Sequence, residues 1–314
     1  MKTITAFLRL IRWPNLFFIV ITQLLFYYCV YLPLLTAPVN THSQFLFFLL
    51  IISSLCIAAA GYIINDYFDI RIDSINKPHK IVIDRFIKRR WAIVWHWLLS
   101  ATGMLISLFI SYRTGSCLIS LINFLCVTAL WFYSVSLKKK LLTGNIIIAA
   151  LTAWVILVIY FFAGAKLLSV HGWSDNDQLN VRRFFKFSLL YTGFAFIMTI
   201  IREVIKDMED MEGDRKYDCN TMPIAWGVPA TKVFAAVWII VSIASLLAVQ
   251  LYAWLSGWWP AAVYILALIV IPMALVLRKL YAASVPADYH RLSNLVKAIM
   301  LAGILSMILL KFHA

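Results

Sequence analysis

Long apolar stretches alternate with short polar ones from one end of the chain to the other. Each stretch is near the ~20 residues a helix needs to cross the hydrocarbon core of a bilayer. About nine spans are expected, over residues 14–36, 44–64, 91–112, 117–136, 143–164, 184–203, 231–252, 257–278 and 293–312. The connections between them are short. That predicts one all-α bundle, a single integral-membrane domain over residues 1–314 without an extramembrane domain. Pro272, inside the eighth span, is expected to kink it.

Composition sharpens this picture. The chain is 63% hydrophobic and 13% charged, against roughly 25% charged in a soluble domain. The first apolar run is too long for a signal-peptide core and lacks a small-residue cleavage site. The net charge of +14 is read as lysine and arginine held at one membrane face, not as a nucleic-acid surface. With the N-terminus in the cytoplasm, 22 of the 28 basic residues fall on the cytoplasmic side. Arg113, Lys166, Arg182, Arg183, Lys186 and Lys311 are left outside, where Arg182, Arg183 and Lys186 would meet lipid headgroups. Trp173, Trp258 and Trp259 fall where an outer aromatic belt is expected. In a bacterium this would be the inner, or plasma, membrane. Four of the five cysteines lie in apolar runs, and no CxxC or His/Cys spacing occurs. Neither a disulfide framework nor a zinc site is expected.

Ten of the 14 acidic residues crowd into two windows, Gly61–Ile83 and Met198–Val228. Asp66, Asp69 and Asp73 are spaced i, i+3, i+7, and so are Asp207, Asp210 and Asp214, in each case 141 residues on. On a helix this spacing stacks three carboxylates on one face, where like charges repel. A shared multivalent cation would relieve the repulsion. Both windows follow an even-numbered span and so emerge on the same, cytoplasmic, face. Each closes on an Asn-to-Pro turn, Asn76–Pro78 and Asn220–Pro223, which suggests an internal repeat of about four helices in parallel orientation.

Magnesium usually takes one or two carboxylates, waters and substrate phosphates. Two carboxylate clusters facing each other across a cavity would hold two or more Mg²⁺ ions gripping a diphosphate. Arg71, Lys77, Lys80, Lys206, Arg215, Lys216 and the run 138–140 supply nearby positive charge for a departing diphosphate. The apolar bundle would accept a long hydrocarbon chain. A lipid diphosphate satisfies both halves of the sequence. Acidic residues beside basic ones at helix ends are commonly just solvated, but two triplets of equal spacing at span ends argue for function.

Several motifs then carry a family resemblance. NDYFDIRID (Asn65–Asp73) matches the N-D-x-x-D-x-x-x-D motif of the UbiA superfamily of intramembrane prenyltransferases. REVIKDMEDMEGD (Arg202–Asp214) resembles its second acidic motif, in a form closest to the branch that includes digeranylgeranylglyceryl phosphate synthases and some quinone and chlorophyll prenyltransferases. TMPIAWG (Thr221–Gly227), FYSVSLKK (Phe132–Lys139), Gly144–Asn145 and RLIRWPNLF (Arg9–Phe17) resemble the family's T-L-P-x-x-x-G, Y-S-x-x-L-K, G-N and R-x-x-N segments. The resemblance spans nearly the whole chain. It implies a nine-helix fold around a central cavity that opens laterally to lipid. It implies that Asn65, Asp66, Asp69, Asp73, Asp207 and Asp210, with Asp214 and Glu203 as weaker members, bind Mg²⁺ and diphosphate. Asp66, Asp69, Asp207 and Asp210 would be the catalytic set. Arg71, Lys77, Tyr133, Lys138 and Lys206 would reach the diphosphate, and Asn15 the acceptor. In one place the chain departs from the family: KPHKIVIDRF (Lys77–Phe86) stands where many members have R-P-x-R-P-I-x-S/T-G, so the arginines become lysines and the small-residue turn is lost. Lysine keeps the charge but not the bidentate fork.

The activity this implies is Mg²⁺-dependent prenyl transfer from an allylic prenyl diphosphate to a membrane-associated acceptor. The form of the second motif favours geranylgeranylglyceryl phosphate. An aromatic ring, 1,4-dihydroxy-2-naphthoate or 4-hydroxybenzoate, as in quinone synthesis, is the runner-up. A divalent-cation or lipid transporter is the rival from another class. Against it, the charges cluster at one face instead of the midplane. The intact acidic set also argues against an inactive lipid-binding scaffold. The expected partners are the two substrates and membrane lipids; no protein partner is legible. His79 is either a base or a solvated loop residue, and His96 is the other histidine near the windows. Trp154, Tyr160, Phe161 and Phe162 either pack the fifth span or shield a carbocation.

Overall fold

The computed structural model describes residues 2–34, 41–167 and 175–312. The described residues are helical almost throughout. In chain order the helices are α1 (Lys2–Leu10), α2 (Trp13–Leu25), α3 (Thr41–Asn76), α4 (Arg89–Thr114), α5 (Leu118–Val135), α6 (Thr143–Leu167), α7 (Asp175–Glu209), α8 (Met211–Lys216), α9 (Met222–Ala225), α10 (Gly227–Leu255), α11 (Trp259–Ile265), α12 (Ile271–Ala282), α13 (Pro286–Leu305) and α14 (Met307–Leu310). Among the described residues, nine segments are long and apolar enough to cross a membrane. Leu105, Leu251, Tyr252 and Leu255 are exposed along them. So much exposed apolar surface is costly in water and natural in lipid.

The helices outrun the apolar stretches that predict them. The second apolar run ends near residue 64, yet α3 continues to Asn76. No glycine or proline interrupts it between Gly61 and Pro78, so the backbone keeps its hydrogen bonds while the side chains turn polar. Residues 2–10, which precede the first expected span, form an amphipathic helix. Ala6 and Leu10, one turn apart, are buried, whereas Ile4 and Leu8 are exposed.

The chain divides into two compact units. The first comprises Met1–Leu24, Leu35–Lys138 and Val155–Arg183. In it, α3 packs against α4 and α5 at small residues. A Cβ on Gly61 would come within 2.8 Å of the Leu130 side chain, and one on Gly103 within 2.8 Å of Ile57. Ser53 donates to the Gly103 carbonyl at 2.8 Å, and Asn123 to Ser107 at 2.9 Å. Close backbones and a few interhelical hydrogen bonds are what holds helices together where lipid supplies no hydrophobic drive. Buried Gln23 adds a polar tie, donating to Ser54 and to the Val155 carbonyl. The Lys77–Phe86 stretch makes its turn without glycine: Asp84 takes the left-handed backbone (φ 69°) and accepts from Arg89 at 2.7 Å. Aspartate tolerates this conformation better than most residues. The turn buries Val82, Ile83 and Ile87 beneath Ala6 and Leu10 of α1.

The second unit comprises Leu25–Leu34, Lys139–Trp154 and Phe184–Ala314. One apolar core joins Ile201, Val204 and Ile205 of α7 to Met273 and Val276 of α12 and to Val296 and Ile299 of α13. The kink expected at Pro272 takes the form of a widened turn. Ile271, just before the proline, donates to the Leu266 carbonyl five residues back. The same device precedes Pro33, where Leu32 donates to Tyr27. Proline removes a donor and crowds the carbonyl four residues earlier, and a π-turn opens the space it needs.

Candidate active site

The first acidic window lies on the last three turns of α3, and there the i, i+3, i+7 reading holds: Asp66, Asp69 and Asp73 share one face of an unbroken helix. Their repulsion is answered from elsewhere in the first unit. Arg12 pairs with Asp66 at 2.5 Å, and Lys138 with Asp69 at 2.5 Å. Asn65 donates to the other oxygen of Asp69 at 2.8 Å, and Lys138 also donates to the Asn65 side-chain Oδ1 at 3.5 Å. The Lys138–Asp69 pair is nearly enclosed, with 11% and 16% of the two side chains exposed. Arg12 owes its reach to backbone geometry. It sits in the break between α1 and α2 with φ 50°, which directs its guanidinium over the Tyr62 ring, 5.2 Å from the centroid. Burial alone would favour the neutral form of Arg12, but Asp66, Tyr62 and Asp69 together outweigh it and hold the guanidinium above its ordinary pKa.

The second window is not one helix. α7 stops at Glu209, and Asp210 stands between helices at φ −98°, ψ 7°; Asp214 belongs to α8. The i, i+3, i+7 stack predicted over Asp207, Asp210 and Asp214 is therefore interrupted at its middle member. The cause is local: Asp210 has low helix preference, and Gly213 follows in the next turn. Asp207 is held by Asn145, at the start of α6, whose side-chain amide donates to it at 2.8 Å. One turn before Asp207, Glu203 accepts from Arg202 and from Lys206, both at 2.9 Å. His290 of α13 meets Glu209 at 2.9 Å.

The other expected residues are spread more widely. Arg71 is exposed. Two residues beyond Asp69 on a helix is a rotation of about 200°, which carries it to the opposite side. Lys77 follows Asp73 by one turn, and its backbone N–H donates to the Asp73 carbonyl. Tyr133 is half-buried near the end of α5, and Asn15 half-buried near the start of α2. His79 is exposed, while His96 is buried, with its ring nitrogen 3.0 Å from the Ala60 carbonyl. Trp173 lies outside the described residues. Two residues beyond the predicted set join the carboxylates, Arg12 and Asn145. The R-x-x-N and G-N segments held their signal, since Arg12 opens the one and Asn145 closes the other.

Among the described residues, no three acidic, histidine or cysteine side chains converge to enclose a cation. Magnesium does not require it: one or two carboxylates suffice when phosphate and water complete the octahedron. The oxygen-rich donors on α3, already neutralised by two cations of the chain itself, fit such an ion arriving with a substrate.

Residues 15–295 match the UbiA prenyltransferase family. The chain belongs to that family. Digeranylgeranylglyceryl phosphate synthase of Methanothermobacter thermautotrophicus is 36% identical over 193 residues, covering 62% of this chain and 59% of the relative. The corresponding synthase of Methanosphaera stadtmanae is 30% identical over 191 residues, 60% and 61% of the two chains. The chain thus spans about three fifths of the length of these curated relatives. A solved digeranylgeranylglyceryl phosphate synthase superposes with TM-score 0.60 at 24% identity, over 98% of this chain and 99% of that one. A UbiA homologue from Archaeoglobus fulgidus bound to DMAPP and Mg²⁺ gives 0.56 at 13% identity, over 96% and 99%. These superpositions establish the UbiA fold. With nine apolar helices among the described residues, this UbiA protein is a multi-pass integral membrane protein.

Proposed function

We propose that the chain transfers a prenyl group from an allylic prenyl diphosphate to the hydroxyl of geranylgeranylglyceryl phosphate, with magnesium. The observation that carries the reading is the α3 face, where Asp66 and Asp69 are presented together and balanced by Arg12 and Lys138. Such a face can exchange its own cations for a metal–diphosphate without a large change in net charge. The synthases among the relatives support the acceptor, and the homologue holding DMAPP and Mg²⁺ supports the donor and the ion.

In the reaction the bond between the prenyl C1 and the diphosphate oxygen breaks, and its electron pair leaves with diphosphate. The acceptor's hydroxyl oxygen forms the new ether bond to C1, and its proton leaves with the released diphosphate or water. Bound magnesium supplies charge to stabilise the leaving diphosphate. Asp66, Asp69 and Asp207 are the first ligands in this reading, with Asp73, Asp210 and Asp214 as further members. Asn65 and Asn145 hold the orientation of Asp69 and Asp207. Lys138, Arg12, Lys77 and Lys206 offer donors to the diphosphate oxygens, where preorganised positive charge contributes most. Arg71, on the far side of α3, has a lesser place. Asn15, three residues after Arg12, is assigned to the acceptor. The N-terminus and the acidic windows face the cytoplasm, a reading supported by the lysine and arginine distribution. The family match runs through both units without interruption, in keeping with one catalytic domain.

The deciding experiment gives purified protein labelled geranylgeranyl diphosphate and Mg²⁺. It offers geranylgeranylglyceryl phosphate and 1,4-dihydroxy-2-naphthoate in parallel, with products read by mass spectrometry. The ether product is expected, and its loss with EDTA. A prenylated naphthoate would move the protein to quinone chemistry. No consumption of any prenyl donor would remove the enzymatic reading.

A further inference from the structure

Positive charge also gathers inside the second unit, deeper than its acidic window. Arg202 lies five residues before Asp207 on α7, about 7.5 Å further along the axis at ~1.5 Å per residue. Lys297 lies eleven residues into α13, about 16 Å from that helix's first residue by the same rise. Both belong to membrane-crossing segments. They are neighbours: Arg202 is within electrostatic range of Lys297, and residues flanking both, Ile201 and Val204 on α7, Val296 and Ile299 on α13, share one apolar core. Arg202 is three-quarters buried. Its Nη1 is spent on Glu203, but its buried Nε–H has no hydrogen-bond partner among the described residues. Lys206 draws on the same Glu203.

Like charges brought together at membrane depth are costly, and ionisable groups kept there serve a ligand or a path. A buried guanidinium N–H left unmade adds a directional demand for an acceptor oxygen. An anion with several oxygens meets both needs, and a phosphomonoester is matched by Arg and Lys donors. The geometry points to Arg202 and Lys297 as a binding site for the phosphate of the acceptor lipid. This rests on the activity proposed above. The spacing agrees with it. If Asp207 helps hold the donor's diphosphate, a second phosphate site about 7.5 Å along α7 leaves room between them for the prenyl C1 and the acceptor's hydroxyl carbon. Apolar α13 and α12 side chains beside it would take the acceptor's hydrocarbon. The pair would thereby select a phosphorylated glycerol lipid over a neutral or aromatic acceptor.

The test uses the full chain in non-ionic detergent, with Lys297→Met and Lys297→Arg. Lys297→Met should raise the KM for geranylgeranylglyceryl phosphate about tenfold or more, the loss of one charge-assisted contact. The KM for geranylgeranyl diphosphate should stay within about twofold, and Lys297→Arg should restore most of the difference. A rise in donor KM instead would assign the cluster to the diphosphate, and unchanged acceptor KM would remove it from the site; either overturns the inference. A second readout needs no turnover. With donor and Mg²⁺ omitted, geranylgeranylglyceryl phosphate should raise the unfolding midpoint of the unmodified protein, its dephosphorylated alcohol should not, and Lys297→Met should abolish the rise. An undiminished rise in Lys297→Met, or an equal rise with dioleoyl phosphatidic acid, overturns the acceptor assignment. If the protein turns over no acceptor, the proposed activity falls, and the donor-free shift still decides whether this cluster binds a lipid phosphate.

Discussion

Asn145, near the start of α6, donates its side-chain amide to Asp207, near the end of α7, at 2.8 Å. Sixty-two residues separate them in sequence, and the bond fixes which carboxylate oxygen remains open. Asn145→Ala should lower prenyl transfer about tenfold to a hundredfold, the range for one hydrogen bond to a charged group, with a folded protein. Asn145→Asp should be worse, because it sets two carboxylates side by side. Steady-state rates and unfolding midpoints measured on both variants check this; equal activity in all three proteins would remove Asn145 from the site.

Lys138→Met leaves Asp69 nearly enclosed and without its cation. Breaking such a pair costs roughly 3–5 kcal/mol when fully buried, and somewhat less here because both groups retain a little exposure. A bound divalent ion would replace the lost charge. Adding Mg²⁺ and diphosphate should therefore raise the unfolding midpoint of Lys138→Met more than that of the unmodified protein, and EDTA should reverse the gain. Equal shifts in the two proteins would show that the ion does not sit against Asp69.

Arg12→Ala should separate stability from activity. The Arg12 side chain is 38% exposed, so the Arg12–Asp66 pair contributes no more than about 1 kcal/mol to the fold. Activity should fall at least tenfold, by analogy with the loss of a charge-assisted contact in a site. Arg12→Lys should recover little, since an ammonium cannot stack over Tyr62 and reach Asp66 in the same fork. Parallel melting curves and initial rates decide it.

Reporter fusions within the Asp84–Arg89 turn should behave as cytoplasmic, and fusions at Gly115 as external. The reverse pattern would overturn the orientation proposed from the basic residues.

The spans, the two acidic windows and the family resemblance were legible because they are local: hydropathy and an i, i+3, i+7 spacing are read along one helix. The α3 face came out as spacing predicted, since nothing between Gly61 and Pro78 breaks the helix. The second window did not, because a break at Asp210 is settled by a single residue's backbone. Helix ends were underestimated wherever polarity, and not a glycine or proline, marked the boundary, as at Asn76 and Glu209. Pro272 signalled a distortion, but the π-turn that accommodates it is a choice of hydrogen bonds that no side chain announces. Arg12 and Asn145 act across 54 and 62 residues, so their motifs could be matched while their partners could not be named.

The balance of charge on α3 bears on how the protein is made. A newly synthesised helix carrying Asp66, Asp69 and Asp73 at the end of an apolar segment is a poor passenger for a bilayer. Arg12 is synthesised before that helix and Lys138 well after it. The arginine is available to Asp66 as soon as α3 leaves the ribosome, whereas Asp69 waits for α5 to be inserted. Of the two cations that answer α3, Lys138 would thus arrive last and complete that helix's charge pairing before Val155–Arg183, the last stretch of the first unit, has been made.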